Sequence, residues 1–125
     1  MAQKVDPSVL DAALDASKGD AYFVCVGEPT DFANVAVVRV NGTSAVLAYS
    51  GKTDGLTAGG RKHEIAADQD INVDEQVSAA LADHVAITLA AGSILKVVNT
   101  ISNPQTVENG NQIDLGAWDH EFEGP

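Results

Sequence analysis

The stretch VSAALADHVAITLA, Val77 to Ala90, decides how this chain is read. Val77, Leu81 and Val85 fit the stripe of an amphipathic helix, and alanine suits a helix well. Yet β-branched residues crowd both flanks, in INVDEQV before it and ILKVVNTI after it. Such residues fit a pleated surface better than a helical one. The stretch is therefore read as strand.

Working outward, the same pattern repeats. AYFVCV is a continuous apolar run broken by Gly27-Glu28-Pro29-Thr30-Asp31, and VAVVRV and SAVLAY flank Asn41-Gly42, a strong hairpin signal. HEIA, HVAITLA, ILKVVNTI and NQIDLGAW follow, with turn chemistry at 67–70, 90–93, 103–106 and 108–111. Short strands at regular spacing predict a mainly β fold, an antiparallel β-sandwich or jelly-roll-like barrel. One helix precedes them. Asp6 is a suitable N-cap and Pro7 suits the first turn, so a short N-terminal α-helix is expected over 6–18. Val9, Leu10, Ala13 and Leu14 form its apolar stripe, and Gly19 is placed to end it in a left-handed cap. The glycine-rich segment 50–62 reads as a long mobile loop and 120–125 as a loose acidic tail, all within one domain, 1–125.

Composition excludes several classes. A lone cysteine forms no internal disulfide and no cysteine-based zinc site. No secretory or membrane-spanning run is visible, so synthesis in the cytoplasm, or export without a visible signal, is expected. Seven Lys and Arg against eighteen Asp and Glu give a net charge of −11, which opposes both nucleic acid and anionic membranes.

No motif compels chemistry. Cys25 sits in an apolar strand without a neighbouring base, so it reads as core. His63, His84 and His120 lack the paired spacing of a metal motif. DQDINVDE resembles half a calcium loop, but Val73 replaces the turn glycine and Ala79 the closing glutamate. GLTAGGRK lacks the Lys-Ser/Thr ending of a phosphate loop. No catalytic residue, metal or cofactor is expected.

Four segments together resemble a family of small structural proteins of tailed bacteriophages: VLDAAL (9–14), CVGEPTDF (25–32), GGRKHEI (59–65) and the closing PQTVENGNQIDLGAW. The resemblance implies a non-enzymatic virion component, a head decoration or cement protein. Its partner would be the major capsid protein, its own state an oligomer with a trimer favoured, and its place the capsid surface. Val9, Leu10 and Leu14 of the helix, with Arg61 and Lys62 of the loop, are the expected capsid or inter-subunit contacts. A tail, connector or spike-base component is the alternative within the virion. A small acidic ligand-binding β-sandwich is the alternative outside it.

Overall fold

The computed structural model describes residues 5–75 and 80–123. About 45% of them are strand and 15% helix, and every strand pairing is antiparallel, a mainly β and sandwich-like architecture. In chain order the elements are α1 (Pro7–Ala16), β1 (Ala21–Cys25), α2 (Phe32–Val38), β2 (Thr53–Asp54), β3 (Arg61–Ile65), β4 (Asp68–Asn72), β5 (Ala80–Leu89), β6 (Ile94–Val107), β7 (Gln112–Leu115) and β8 (Trp118–Phe122). They fall into two compact units, each assembled from separated stretches of chain. The smaller comprises the residues through Lys18, Ala48–Ala67 and those from Gly116 onward; the larger comprises Gly19–Leu47 and Asp68–Leu115.

In the smaller unit, Asp6 caps α1 as its sequence dictates, accepting from Ser8 N at 2.8 Å and Ser8 Oγ at 2.6 Å. The far end differs from expectation. Ser17 closes the helix, its N–H donating to Ala13 O and its hydroxyl to Leu14 O, so no left-handed glycine is needed. The helix packs on the sheet β2–β3–β8. Leu14 is fully buried, Leu10 and Ala13 are half-buried, and Val9 stays 58% exposed.

Two parts of this unit correct the sequence reading. The segment 50–62 is not one long loop: β2 and the start of β3 pair within it, Thr53 against Lys62 and Asp54 against Arg61. Its tip is pinned by Glu121, whose carboxylate accepts from Leu56 N at 2.7 Å, Thr57 N at 3.1 Å and Thr57 Oγ1. Those bonds hold the Glu121 carboxyl below its usual range, the Thr57 hydroxyl contributing most. Glycine leaves room for that carboxylate. A Cβ at Gly55 or Gly60 would stand 2.6 Å or 2.7 Å from a carboxylate atom of Glu121. The second correction is 120–122, expected as tail; these residues end β8, which pairs with β3 along its whole length. Gly124 and Pro125 lie outside the described residues.

The larger unit is built on the sheet β1–β5–β6 with the two-stranded sheet β4–β7. The deciding stretch is β5, paired residue by residue with β1 from Ala21↔Thr88 to Cys25↔His84. Val77 to Ala79 lie outside the described residues. The turn foreseen at 90–93 forms between β5 and β6, with Ser93 N donating to Ala90 O. The turn foreseen at 103–106 does not form. β6 runs through it to Val107, and the register slips between Ala82↔Gln105 and His84↔Thr100, which absorbs Asn103 and Pro104 as a bulge.

The largest correction concerns residues 32–49. FANVAVV is helix α2, capped by Asp31, whose Oδ1 accepts from Asn34 N at 2.8 Å. Val35 and Val38 of α2 pack on Phe23, Cys25 and Ala86 of the sheet. With α2 helical, the Asn41-Gly42 hairpin has no strand to begin from. Instead 38–45 run along the outer edge of β1 and close it. Val26 N donates to Val38 O, Val40 N to Val24 O and Ala45 N to Tyr22 O, all at 2.8–2.9 Å. Where backbone does not reach, side chains do. Tyr22 N donates to Ser44 Oγ and Val24 N to Asn41 Oδ1, both at 2.9 Å. An edge strand that would otherwise invite pairing is thus satisfied from within the chain.

Candidate functional site

Cys25 ends β1 in the cluster of Phe23, Val35 and Ala86, fully buried. Burial first, then the nearby Asp83 charge, pushes its thiol up to about 12. It is therefore a protonated, apolar packing group at neutral pH. Opposite it in register is His84, whose Nδ1 lies 2.8 Å from Asp83 Oδ1. Asp83 also accepts from Gly27 N at 2.8 Å, and these bonds, His84 first, hold its carboxyl below the usual range. The pair ties the GEPT turn to β5.

The other two histidines come together, which their sequence spacing does not announce. His63 of β3 and His120 of β8 are register partners with ring centroids 5.7 Å apart. Tyr49 packs tilted against His63 at 4.7 Å, and Trp118 and Phe122 flank His120 at 6.4 Å and 5.3 Å. His63 is 1% exposed, and its Nδ1 and the Nε2 of His120 are buried without hydrogen-bond partners. Burial lowers both, His63 to about 4. They are neutral, aromatic-like members of a core. Among the described residues no three His, Cys, Asp or Glu side chains converge as a metal-binding group.

The acidic alternation of DQDINVDE lies on β4 and the turn after it, beside a cleft of about 270 Å³ lined by Thr43–Val46 and Asp68–Asn72. Two of its carboxylates accept from backbone donors, Asp68 from Val46 N at 2.8 Å and Asp74 from Gly42 N at 2.7 Å, and Asp70 donates its own N–H to the Asp114 carboxylate at 3.0 Å. A second, apolar cleft of about 150 Å³ lies between α2 and the sheet, lined by Phe23, Phe32, Val35 and Arg39. The Arg39 guanidinium stacks over the Phe23 ring at 5.1 Å and reaches Glu75 at 3.4 Å.

The residues singled out as contacts share the smaller unit but differ in what they present. Leu14 is core and offers no surface. Leu10 is half-buried under the same packing. Arg61 is held by Asp11 at 2.8 Å and Asp54 at 2.9 Å, and Lys62 by Asp119 at 2.8 Å; each pairing raises the pKa of the cation. Val9 is open. Leu56, which composition gave no reason to select, is 84% exposed at the pinned hairpin tip. Only the position of the tip, set by Glu121 from a remote strand, marks it out.

No helix among the described residues is long and apolar enough to cross a membrane. No protein-family model, curated protein or solved structure matches the chain.

Proposed function

We propose that this chain is a non-enzymatic structural protein of a virion, a decoration protein that binds the outer face of a capsid lattice as an oligomer, with a trimer favoured. The observation that carries this reading is Leu56. The fold commits Glu121, two backbone N–H groups and a hydroxyl to holding a hairpin whose apolar tip stands in water. A rigid apolar anchor costs little entropy on docking, and repeated on a lattice even weak anchors give strong avidity. Val9 adds a second exposed apolar side chain on the same unit, and the net charge of −11 keeps the free protein soluble. The four segments that resemble phage structural proteins supply the class of partner.

The test is co-sedimentation of purified protein with capsids that lack it. Binding is expected to saturate at a fixed ratio to the major capsid protein. Leu56→Asp is expected to weaken it by about tenfold or more while leaving the melting temperature unchanged, since the side chain touches solvent. Binding to tails and not to heads would move the protein to a connector or spike base. Binding to neither would sink the virion reading.

A further inference from the structure

We infer that the apolar cleft beside α2 is a binding site for a small carboxylic acid with a single-ring apolar body, its carboxylate held by Arg39. The cleft follows from the spacing of the helix. Phe32, Val35, Ala36 and Arg39 stand at i, i+3, i+4 and i+7, so they share one face of α2 and its C-cap and line the cleft together. Phe23 of β1 forms a facing wall, and buried Thr88 of β5 adds the one hydroxyl among the described lining residues. The volume is about 150 Å³. An apolar cavity of that size accepts a body as large as benzene. Filling it removes apolar walls from water, which favours binding.

The charged group at this cleft is a cation, which disfavours an amine and favours an acid. Arg39 and Lys96 are the only Lys or Arg of the larger unit, and Arg39 is the one that lines an apolar cleft. Its guanidinium lies over the Phe23 ring at 5.1 Å, which leaves the edge of the planar fork for hydrogen bonding. That edge meets Glu75 through a contact of 3.4 Å between part-exposed side chains, a loose and solvent-screened pair. A ligand carboxylate can take the fork in two parallel bonds while its ring sits against the apolar walls. The net charge of −11 opposes an anion from afar, but salt screens that field beyond about 8 Å. Glu75 is the carboxylate that the ligand must displace. Removing Glu75 therefore strengthens the site, and removing Arg39 weakens it.

Titration of the full chain with phenylacetate, followed by amide chemical shifts, tests this. Shifts are expected at Phe23, Val35, Ala36 and Thr88, saturating with a Kd of about 1 mM or tighter. Phenylacetamide keeps the ring and loses the charge, and is expected to bind about tenfold more weakly. Arg39→Gln should cost phenylacetate the same factor and phenylacetamide nothing. Glu75→Gln should tighten phenylacetate several-fold, the opposite sign. Ala36 is exposed, so Ala36→Trp can fill the cleft from its rim; it is expected to abolish binding with an unchanged melting temperature, and it decides should Arg39→Gln fold poorly. The site lies in the larger unit and Leu56 in the smaller, so the result stands whether or not the chain binds a capsid. No saturable shift at about 10 mM phenylacetate overturns the inference. So does equal binding of acid and amide, or binding that survives Ala36→Trp.

Discussion

Asn41→Ala is expected to destabilise the larger unit by about 3 kcal/mol, a fall of roughly 10 °C in melting temperature for a chain of this size. Asn41 is 1% exposed and every polar atom of its side chain is used. Oδ1 accepts from Val24 N at 2.9 Å, and Nδ2 donates to Thr43 O at 2.9 Å and Tyr22 O at 3.3 Å. Alanine leaves the N–H of fully buried Val24 without a partner, which costs about 1–3 kcal/mol, and adds the cavity of the lost amide. Asn41→Asp separates the two halves of the seat. The acceptor to Val24 is retained, but the donors are lost and a buried charge is introduced, so its stability should recover as pH falls and the carboxyl protonates. Amide exchange at Val24 gives the local readout, expected to speed by more than tenfold in Asn41→Ala. A loss below about 1 kcal/mol, or unchanged exchange, would mean that the Asn41 amide is not what closes the β1 edge.

That seat also marks how far the sequence could be read. Elements whose signals are local were legible: Asp6-Pro7 starts α1, the apolar run AYFVC is β1, and β5 and β6 meet across the Ala90–Ser93 turn. The reading failed where a local signal was outvoted. FANVAVV is rich in β-branched residues, yet Asp31 caps it and Asn34 answers from inside, Thr30 N donating to Asn34 Oδ1. Two caps and the packing of Val35 on Phe23 outweigh a modest propensity. Asn41-Gly42 carries hairpin chemistry, but the same amide that suits a turn also imitates a peptide group, and β1 uses it that way. Contacts set by tertiary register had no signal. Nothing local places His63 against His120, or brings Glu121 under the tip at Leu56. The residues expected as contacts share one unit but differ in exposure, which the helical stripe alone does not reveal: Val9 is open, Leu14 is core.

The second large effect is one of acid. Lowering the pH from about 6.5 to about 4 is expected to remove about 2–3 kcal/mol from the smaller unit, through His63. Its imidazole lies under Tyr49 and against His120. The charged groups acting on it are His120 first, then Lys18 and Lys52, which oppose a further positive charge, and Asp15, which favours one. Desolvation dominates, and the folded-state pKa falls from 6.5 to about 4. The sign follows directly. Below pH 6.5 the unfolded chain takes up a proton that the folded unit refuses, so stability declines with falling pH and levels off once the folded pKa is passed. His120 acts in the same direction, also through burial. Asp15 and Glu121, whose folded pKa values are lowered, begin to lose their stabilising contribution only near the unfolded carboxylate values, at the acid end of that window and below it. Trp118, the single tryptophan, stands 6.4 Å from His120, so its fluorescence reports on this unit. Urea unfolding followed at Trp118 should show the decline between pH 6.5 and 4.5. In His63→Phe, which keeps an aromatic ring against Tyr49 and cannot titrate, the slope should flatten to the smaller part due to His120. An unchanged slope in that variant would place the acid sensitivity elsewhere. A wild-type unit as stable at pH 4.5 as at pH 7 would show that the buried imidazoles take their protons without cost to the fold.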